Sequence, residues 1–191
     1  MGCLSRLETC SSRSETIDLL VILSGPEPQR TILEKILLSQ LKTFAGKAVL
    51  IRGVMHDHSI ASFDNTSVLN YVSSAVLNQL MCNSAIVVCR SGYTSIMDIL
   101  KLGKKAVLIP TPGQAEQEYL AVHMHQQKLA FMADQKNFCL QTTLETLMKT
   151  NVESIPESMD QYRSIIKDFT KTIKKLAGDQ SVSADLGKSK K

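Results

Sequence analysis

The stretch NSAIVVCRSGYTSIMDILKLGKKAVLIPTPGQAEQEYLA, Asn83–Ala121, sets the fold through two short apolar runs and the segment between them. Ala85–Cys89 and Ala106–Ile109 are continuous rather than alternating in hydrophobicity, which is typical of strands buried on both faces of a parallel sheet. The segment between them, Ile96–Leu102, stops at Gly103, a residue type that commonly follows the last turn of a helix. The order strand, helix, strand predicts a right-handed βαβ unit.

The residues before this stretch repeat the alternation. Leu19–Leu23 and Ala48–Ile51 are further apolar runs that predict strands. Apolar residues at intervals of three and four predict one helix over Ile32–Leu41 and another over Val68–Leu80. The sequence therefore predicts an α/β fold built on a Rossmann-like, doubly wound parallel sheet.

The second half of the chain is richer in helical patterns. A helix is predicted over residues 114–127, and Thr142 with Glu145 matches a capping box that would begin a shorter helix. Apolar residues spaced by three and four over 158–176 predict a C-terminal helix that packs on its own domain or on a partner. The predicted organisation is a remnant or linker at 1–18, a Rossmann-like domain at 19–150, the C-terminal helix at 151–177 and a disordered tail at 178–191.

Composition places the chain among ordinary globular proteins. Its length of 191 residues predicts one domain, or one domain plus an appendage, and 43% of the residues are hydrophobic and 21% are charged. The net charge of +4, the absence of Trp and an aromatic content of 5% argue against a nucleic-acid partner, which needs a basic patch and stacking side chains. The longest apolar runs are far shorter than the ~20 residues that a membrane helix needs, so no transmembrane segment is predicted.

The five cysteines are odd in number and form no CxxC cluster. Cys82 and Cys89 lie in or beside apolar sequence, where a buried free thiol is the usual state. The first residues lack the apolar core of a signal peptide. Together these features predict a reducing, cytoplasmic location.

Three turns follow predicted strands and open predicted helices. Because parallel strands end at one edge of a sheet, we expect these turns to meet where ligands of such sheets bind. The free N–H groups and the positive dipole end of a helix favour a phosphate, and Gly, Ser and Thr let it approach and add donors. The turns supply Ser24 and Gly25, then Arg90, Ser91, Gly92, Thr94 and Ser95, and finally Gln114.

Each turn also has a purely structural interpretation, since Gly and Ser satisfy the geometry of strand-to-helix turns. Neither GxGxxG nor GxxxxGK[ST] occurs, which excludes the usual dinucleotide and P-loop signatures. Asp98 could accept both hydroxyls of a ribose, or it could form a variant capping box with Ser95; spacing alone favours the capping box. Glu116 and Glu118 are expected to offset the dipole of their helix in its first turn.

Two His pairs suggest a metal site that their spacing does not support. Residues two apart on a helix diverge by about 200°, which separates His123 from His125. His56 and His58 lie in a predicted loop without an evident third ligand. We therefore predict no metal. The basic residues of the C-terminal helix are interpreted as a solvated face, with peripheral membrane contact as the alternative.

Asn83–Ala121, together with LLVILSGPEPQRT at Leu19–Thr31, resembles the C-terminal, donor-binding half of family 28 glycosyltransferases. The resemblance covers about Leu19 to Ala133. It implies one Rossmann-like half of a GT-B architecture. It also implies a UDP-sugar donor carrying an N-acetylglucosamine-like hexosyl group, and no further cofactor.

Site residues follow from the same resemblance, position by position. Ser91, Gly92 and Thr94 would contact the diphosphate, and Asp98 stands where the family has a ribose-binding glutamate. The first turn, with Ser24, matches the family's turn that faces the cleft. Gln117 and Glu118 stand where the family has a Gln–Gln pair that reads the donor sugar. The residues expected to bind the donor are Ser24, Gly25, Arg90, Ser91, Gly92, Thr94, Ser95, Asp98, Gln114, Gln117 and Glu118.

A complete enzyme of this family carries another half before this one, which supplies the acceptor site and the catalytic base. Only eighteen residues precede Leu19, so we expect a truncated gene product or one subunit of a split enzyme. The expected partner is a separate N-terminal, acceptor-binding half or a second copy of the chain. The alternatives are a non-catalytic remnant or interaction module of the same fold and, more weakly, an epimerase-like enzyme acting on sugar nucleotides.

Overall fold

The computed structural model describes residues 5–10, 16–55, 60 and 62–150. Within these residues six strands form one sheet in the order β3-β2-β1-β4-β5-β6, and each neighbouring pair is parallel. The strands are β1 (Ile17–Ile22), β2 (Ala48–Ile51), β3 (Thr66–Leu69), β4 (Ser84–Cys89), β5 (Lys105–Leu108) and β6 (Phe131–Met132). The predicted α/β fold with a doubly wound parallel sheet is confirmed.

Helices follow most of the strands and complete the βαβ units. They are α1 (Gln29–Leu41), α2 (Ser74–Cys82), α3 (Tyr93–Leu102), α4 (Ala115–Gln126) and α5 (Leu140–Lys149). Gly103 ends α3 in the left-handed conformation, with φ of 59°, as its position predicted. Helix α3 begins at Tyr93, three residues before the predicted start at Ile96, and so follows the Gly92 turn directly.

The core lies at the middle of the sheet. Leu19, Leu20 and Val21 of β1 are fully buried, as are Val87 and Val107 of the neighbouring strands. Burial of consecutive residues means that both faces of the central strands are covered, which explains their continuous apolar sequence.

The order of the strands reverses between β1 and β4. The chain runs from β1 outward through β2 and β3, then returns so that β4 pairs with β1 on its other side. Ile22 at the end of β1 is paired with both Ile51 and Cys89. Such a reversal opens a crevice at the carboxyl edge of the sheet. The first turn, after Ile22, and the second, after Cys89, lie on its two sides.

The segment Val68–Leu80 is only partly helical, and the prediction of one helix over it was wrong. Thr66–Leu69 forms β3, with Val68 in register with Leu50, and α2 begins only at Ser74. The edge of β2 offers unpaired backbone groups to the β-branched Thr66 and Val68, and this tertiary pairing overrides the helical spacing.

The capping box predicted from Thr142 and Glu145 is also wrong. Helix α5 starts at Leu140 with Cys139 as its N-cap, so Thr142 lies inside the first turn. Its hydroxyl donates to the Cys139 carbonyl, and Glu145 accepts from Gln141 instead. The predicted C-terminal helix and tail lie outside the described residues.

Residues 5–10, which we call the N-terminal segment, lie against the domain. Leu7 is buried, and Cys10 forms a disulfide with Cys82 at the end of α2. The prediction that Cys82 is a free thiol was therefore wrong, because two cysteines that the spacing left unrelated meet across the fold. Cys89 is free and buried, as predicted. In the described part of the chain no helix is long and apolar enough to cross a membrane.

Candidate functional site

The N terminus of α3 faces open space at the crevice. Gly92 is its N-cap, and no side-chain hydrogen bond caps the helix. A Cβ added to Gly92 would meet nothing within 4 Å. A helix of ten residues that begins this way presents backbone N–H groups and the positive end of its dipole to any anion that enters.

The turn after β1 lies across the crevice from α3. Ser24 and Gly25 are exposed, and Gly25 adopts a φ of 101° that side chains rarely tolerate. A Cβ on Gly25 would lie 3.4 Å from the hydroxyl oxygen of Thr111, which follows β5. The turns after β1 and β5 therefore approach each other closely, as their common position at the carboxyl edge predicted.

A cavity of about 180 Å³ opens between β1, α2 and α3. Small-molecule sites usually enclose ~300–1,000 Å³, so this cavity fits a part of a nucleotide, such as a ribose or a phosphate, rather than all of it. Its polar lining comes from both sides of the crevice and from the N-terminal segment: Arg6, Ser24, Thr94, Ser95 and Asp98.

Asp98 lies at the inner end of this cavity and is only 5% exposed. Its Oδ1 accepts a hydrogen bond of 2.5 Å from the Ser5 hydroxyl. The preferred interpretation, a capping box with Ser95, is wrong, because α3 starts at Tyr93 and places Asp98 in the second turn. Burial, together with the nearby Asp98 charge, raises the pKa of the Cys89 thiol to about 12, so this cysteine stays neutral.

Arg90 is 1% exposed and joins its own turn to the turn after β5 and to the start of α1, rather than facing the crevice. Its guanidinium donates to the carbonyl oxygens of Ile109 at 3.2 Å, Pro110 at 3.1 Å and Gln29 at 2.9 Å. Burial lowers the pKa of Arg90 to about 10, so the group is still charged at neutral pH. Ser91 is likewise buried, and its hydroxyl donates to the Gln117 carbonyl at 2.7 Å.

The side chains of Gln117 and Glu118 at the start of α4 form hydrogen bonds within the turn that precedes the helix. Gln117 accepts from the backbone N–H of Thr111 at 3.0 Å and donates to Gln114 at 2.5 Å. Glu118 accepts from the backbone N–H of Gly113 at 2.9 Å. Glu116 and Glu118 both lie in the first turn, as predicted for acids that offset the helix dipole.

A buried ionic network supports the turn after β1 from behind. Glu34 of α1 is 4% exposed and accepts from Arg30 at 3.0 Å and from Arg52, which follows β2. Arg30 also reaches Glu27 in the turn itself, at 2.6 Å. Glu34 and both arginines are buried and each arginine is paired with a carboxylate, whereas Glu27 is exposed to solvent.

The structure adds Ser5 and Arg6 to the residues expected at the site. They are far from α3 in sequence and carry no motif of their own, so only the packing of the N-terminal segment reveals them. His123 stacks on Tyr119, and His125 accepts from the Met132 backbone. Over residues 5–10, 16–55, 60 and 62–150 no three potential ligand side chains gather around a metal position. The pair His56 and His58 lies outside these ranges.

Comparison with known proteins identifies the relatives of this domain. The model of the glycosyltransferase family 28 C-terminal domain matches residues 20–177. A UDP-N-acetylglucosamine–N-acetylmuramyl-(pentapeptide) pyrophosphoryl-undecaprenol N-acetylglucosamine transferase from Sulfurihydrogenibium sp. (strain YO3AOP1) is 25% identical over 167 residues. That match covers 84% of this chain and 46% of the relative, so the chain spans about half the length of this curated protein.

Solved structures share the fold at low sequence identity. The glycotransferase of kitacinnamycin aligns with a TM-score of 0.56 at 16% identity, over 80% of this chain and 39% of that one. MurG of Acinetobacter baumannii aligns with a TM-score of 0.52 at 16% identity, over 84% and 55% of the two chains. These likenesses concern the fold alone, and they confirm the predicted half of a GT-B architecture.

Proposed function

This chain belongs to the C-terminal domains of glycosyltransferase family 28, and on that basis we propose that it is a donor-binding domain for a UDP-sugar. It would serve a transferase that moves an N-acetylglucosamine-like hexosyl group to an acceptor hydroxyl. The chain spans about half of its curated relative, and in this proposal an N-terminal half supplies the acceptor site and the catalytic base. We place the reaction in the cytoplasm and expect no metal or other cofactor.

The open N terminus of α3 at the switch point of the sheet carries this proposal. Gly92 leaves room for an anion, and Thr94 adds an exposed hydroxyl beside the helix start. Ser24 and Gly25 face this position from the other side of the crevice. A diphosphate placed there would accept hydrogen bonds from preorganised backbone donors rather than from side chains that must first be ordered.

The same arrangement supports a mechanism in which the domain stabilises the leaving group. Negative charge grows on the β-phosphate as the glycosidic bond to the sugar breaks. Donors already aimed at that charge lower the barrier because they need no reorganisation during the reaction. Asp98 would accept the ribose hydroxyls and so hold the nucleotide in register with α3.

A titration of the full chain with UDP tests the proposal. Binding at 100 times the dissociation constant adds about 2.7 kcal/mol to the unfolding free energy, so UDP should raise the melting temperature by several degrees. Thr94→Val should weaken binding about tenfold, which is what losing one hydrogen bond to a charged group costs. The matched control Thr43→Val alters an exposed threonine after α1 and should bind UDP normally. Absence of any shift at millimolar UDP would contradict the proposal.

A non-catalytic interaction module is the second candidate, and one observation favours it. Both polar atoms of the Gln117 amide are already bonded within the turn, to Thr111 and Gln114, and Glu118 is bonded to Gly113. Because these groups already form hydrogen bonds within the protein, they are poorly placed to form hydrogen bonds with a donor sugar. The same titration separates the two functions, because a module without a donor site responds to no nucleotide, whereas the transferase domain binds UDP with or without a sugar.

A further inference from the structure

We propose that the N-terminal segment forms one wall of the nucleotide site and that the Cys10–Cys82 disulfide holds it there, so that reduction of the disulfide weakens nucleotide binding. The inference rests on the proposed function, because it concerns the same cavity. It adds a redox dependence that the donor-binding role by itself does not require.

Two residues of the segment reach the cavity. The Ser5 hydroxyl donates to Oδ1 of Asp98 at 2.5 Å, which fixes the orientation of a carboxyl that is 5% exposed. Lys101 of α3 donates to the Ser5 carbonyl at 3.4 Å. Arg6 lines the same cavity as Thr94 and so brings a positive charge to it. Ser5 is a positioning residue in this account, since it acts through Asp98.

Besides the two hydrogen bonds of Ser5, contacts of Leu7 and Glu8 hold the segment against the domain. Leu7 is buried, and the backbone N–H of Glu8 donates to Asn78 of α2 at 3.0 Å. A typical hydrogen bond contributes only about 1 kcal/mol net, while each ordered backbone residue costs about as much or more in conformational entropy. The disulfide joins Cys10 to Cys82, 72 residues away, and lowers the entropic cost of holding the segment against the domain.

Reduction needs two thiols or one dithiol and can proceed through the more accessible sulfur. Cys82 is 7% exposed, whereas Cys10 is half-buried. A thiolate attacks Cys10, the S–S bond breaks, and Cys82 leaves as a thiolate that takes up a proton. A second thiol then attacks the reductant's sulfur in this mixed disulfide, which releases Cys10 as a thiolate that takes up a proton. The two reductant thiols end as a disulfide, so two electrons and two protons are transferred in total. In the cytoplasm, disulfides of this kind are usually redox-sensing rather than structural.

The test compares UDP affinity of the full chain with and without prior reduction by dithiothreitol. Thiol titration of the urea-unfolded chain should count two more free thiols after reduction than before it, since reduction releases Cys10 and Cys82. The dissociation constant for UDP should rise about tenfold on reduction, because the wall is no longer preorganised. Cys10→Ser and Cys82→Ser should show the same rise without reductant. Cys139→Ser, which alters an exposed free cysteine outside the cavity, should behave as wild type.

Ser5→Ala separates the role of the wall from a general loss of stability. It should raise the dissociation constant in the oxidised chain and have no further effect in a Cys10→Ser background, because the segment has already left the site. Equal UDP affinity before and after reduction would overturn the inference while leaving the proposed function intact. Five free thiols in the unreduced chain, or an effect of only one of the two disulfide variants, would also overturn it. Failure of every form to bind UDP would overturn the proposed function and this inference together.

Discussion

The Ser5 hydroxyl donates a 2.5 Å hydrogen bond to Asp98, 93 residues further along the chain. This bond makes the acid of α3 part of a buried cavity wall instead of a helix cap. Arg6, the next residue in the chain, lines the same cavity as Thr94. The site thus combines one helix terminus, one strand-to-helix turn and a segment that precedes the first strand.

Gly92→Ala should fold normally and bind UDP about tenfold more weakly, because its methyl group would occupy the space offered to the phosphate. The backbone at Gly92 has φ of −71° and ψ of 147°, which alanine adopts without strain, and the added Cβ meets no protein atom within 4 Å. Urea denaturation and calorimetric titration measure the two properties separately. An alanine variant that binds UDP like wild type would show that no phosphate approaches Gly92.

Arg90→Met should destabilise the domain by about 3–5 kcal/mol, because it removes three donors from buried carbonyl groups. Gln29, Ile109 and Pro110 would lose their partner, and no water can easily replace a group that is 1% exposed. Arg6→Met removes an exposed arginine and is the control for the loss of charge. Its unfolding free energy should stay within about 0.5 kcal/mol of wild type. Similar effects of the two substitutions would contradict a structural role for Arg90.

Glu34→Gln should cost about 3 kcal/mol of unfolding free energy, because it removes the buried carboxylate charge that two buried arginines share. Glu34 accepts from both Arg30 and Arg52, and all three side chains are at most 9% exposed. Glu27→Gln is the matched control, since Glu27 also pairs with Arg30 but is 55% exposed and solvated. It should be much less destabilising in the same denaturation experiment. Equal losses would show that burial does not decide the strength of this network.

Stability should fall above pH 9 because of Cys89. Burial raises the pKa of its thiol from 9.0 to about 12, so between these values the unfolded chain has lost the proton that the folded chain retains. The unfolding free energy then decreases by about 1.4 kcal/mol per pH unit from this group. Cys89→Ala should show a shallower decline between pH 9 and 11 in urea denaturation. Parallel declines in the two proteins would contradict a neutral buried thiol.

Short-range patterns predicted most of the fold. The runs at Leu19–Leu23, Ala48–Ile51 and Ala85–Cys89 became neighbouring strands, because consecutive apolar residues can be buried only where both faces of a sheet are covered. The same reasoning failed at Val68, where helical spacing lost to pairing with Leu50. The hydrophobic pattern within one segment does not show which strand edges elsewhere in the fold are available for pairing.

The sequence predicted the positions of several site residues in the fold but not the direction of every side chain. The positions of Ser24, Gly25, Gly92 and Thr94 at one edge of the sheet followed from the order of strands and turns. Whether each of these residues binds a donor stays a prediction. Arg90 and Ser91 carry polar groups suited to a phosphate, yet both side chains are turned inward and bonded to backbone carbonyls of α1 and α4. The residue type indicated the chemistry, whereas its direction depended on neighbours far along the chain.

The sequence by itself determined the parallel sheet, the turns at its carboxyl edge and the family, because these depend on local hydrophobicity, glycine positions and motif residues. Tertiary structure alone decided that Cys10 bonds to Cys82, that Ser5 holds Asp98 and that Arg6 enters the cavity. The two pairs join residues more than seventy positions apart, and Arg6 reaches a cavity whose other lining residues are far from it in the sequence. Such contacts arise only when packing brings remote segments within a few ångströms, a distance that no local pattern encodes.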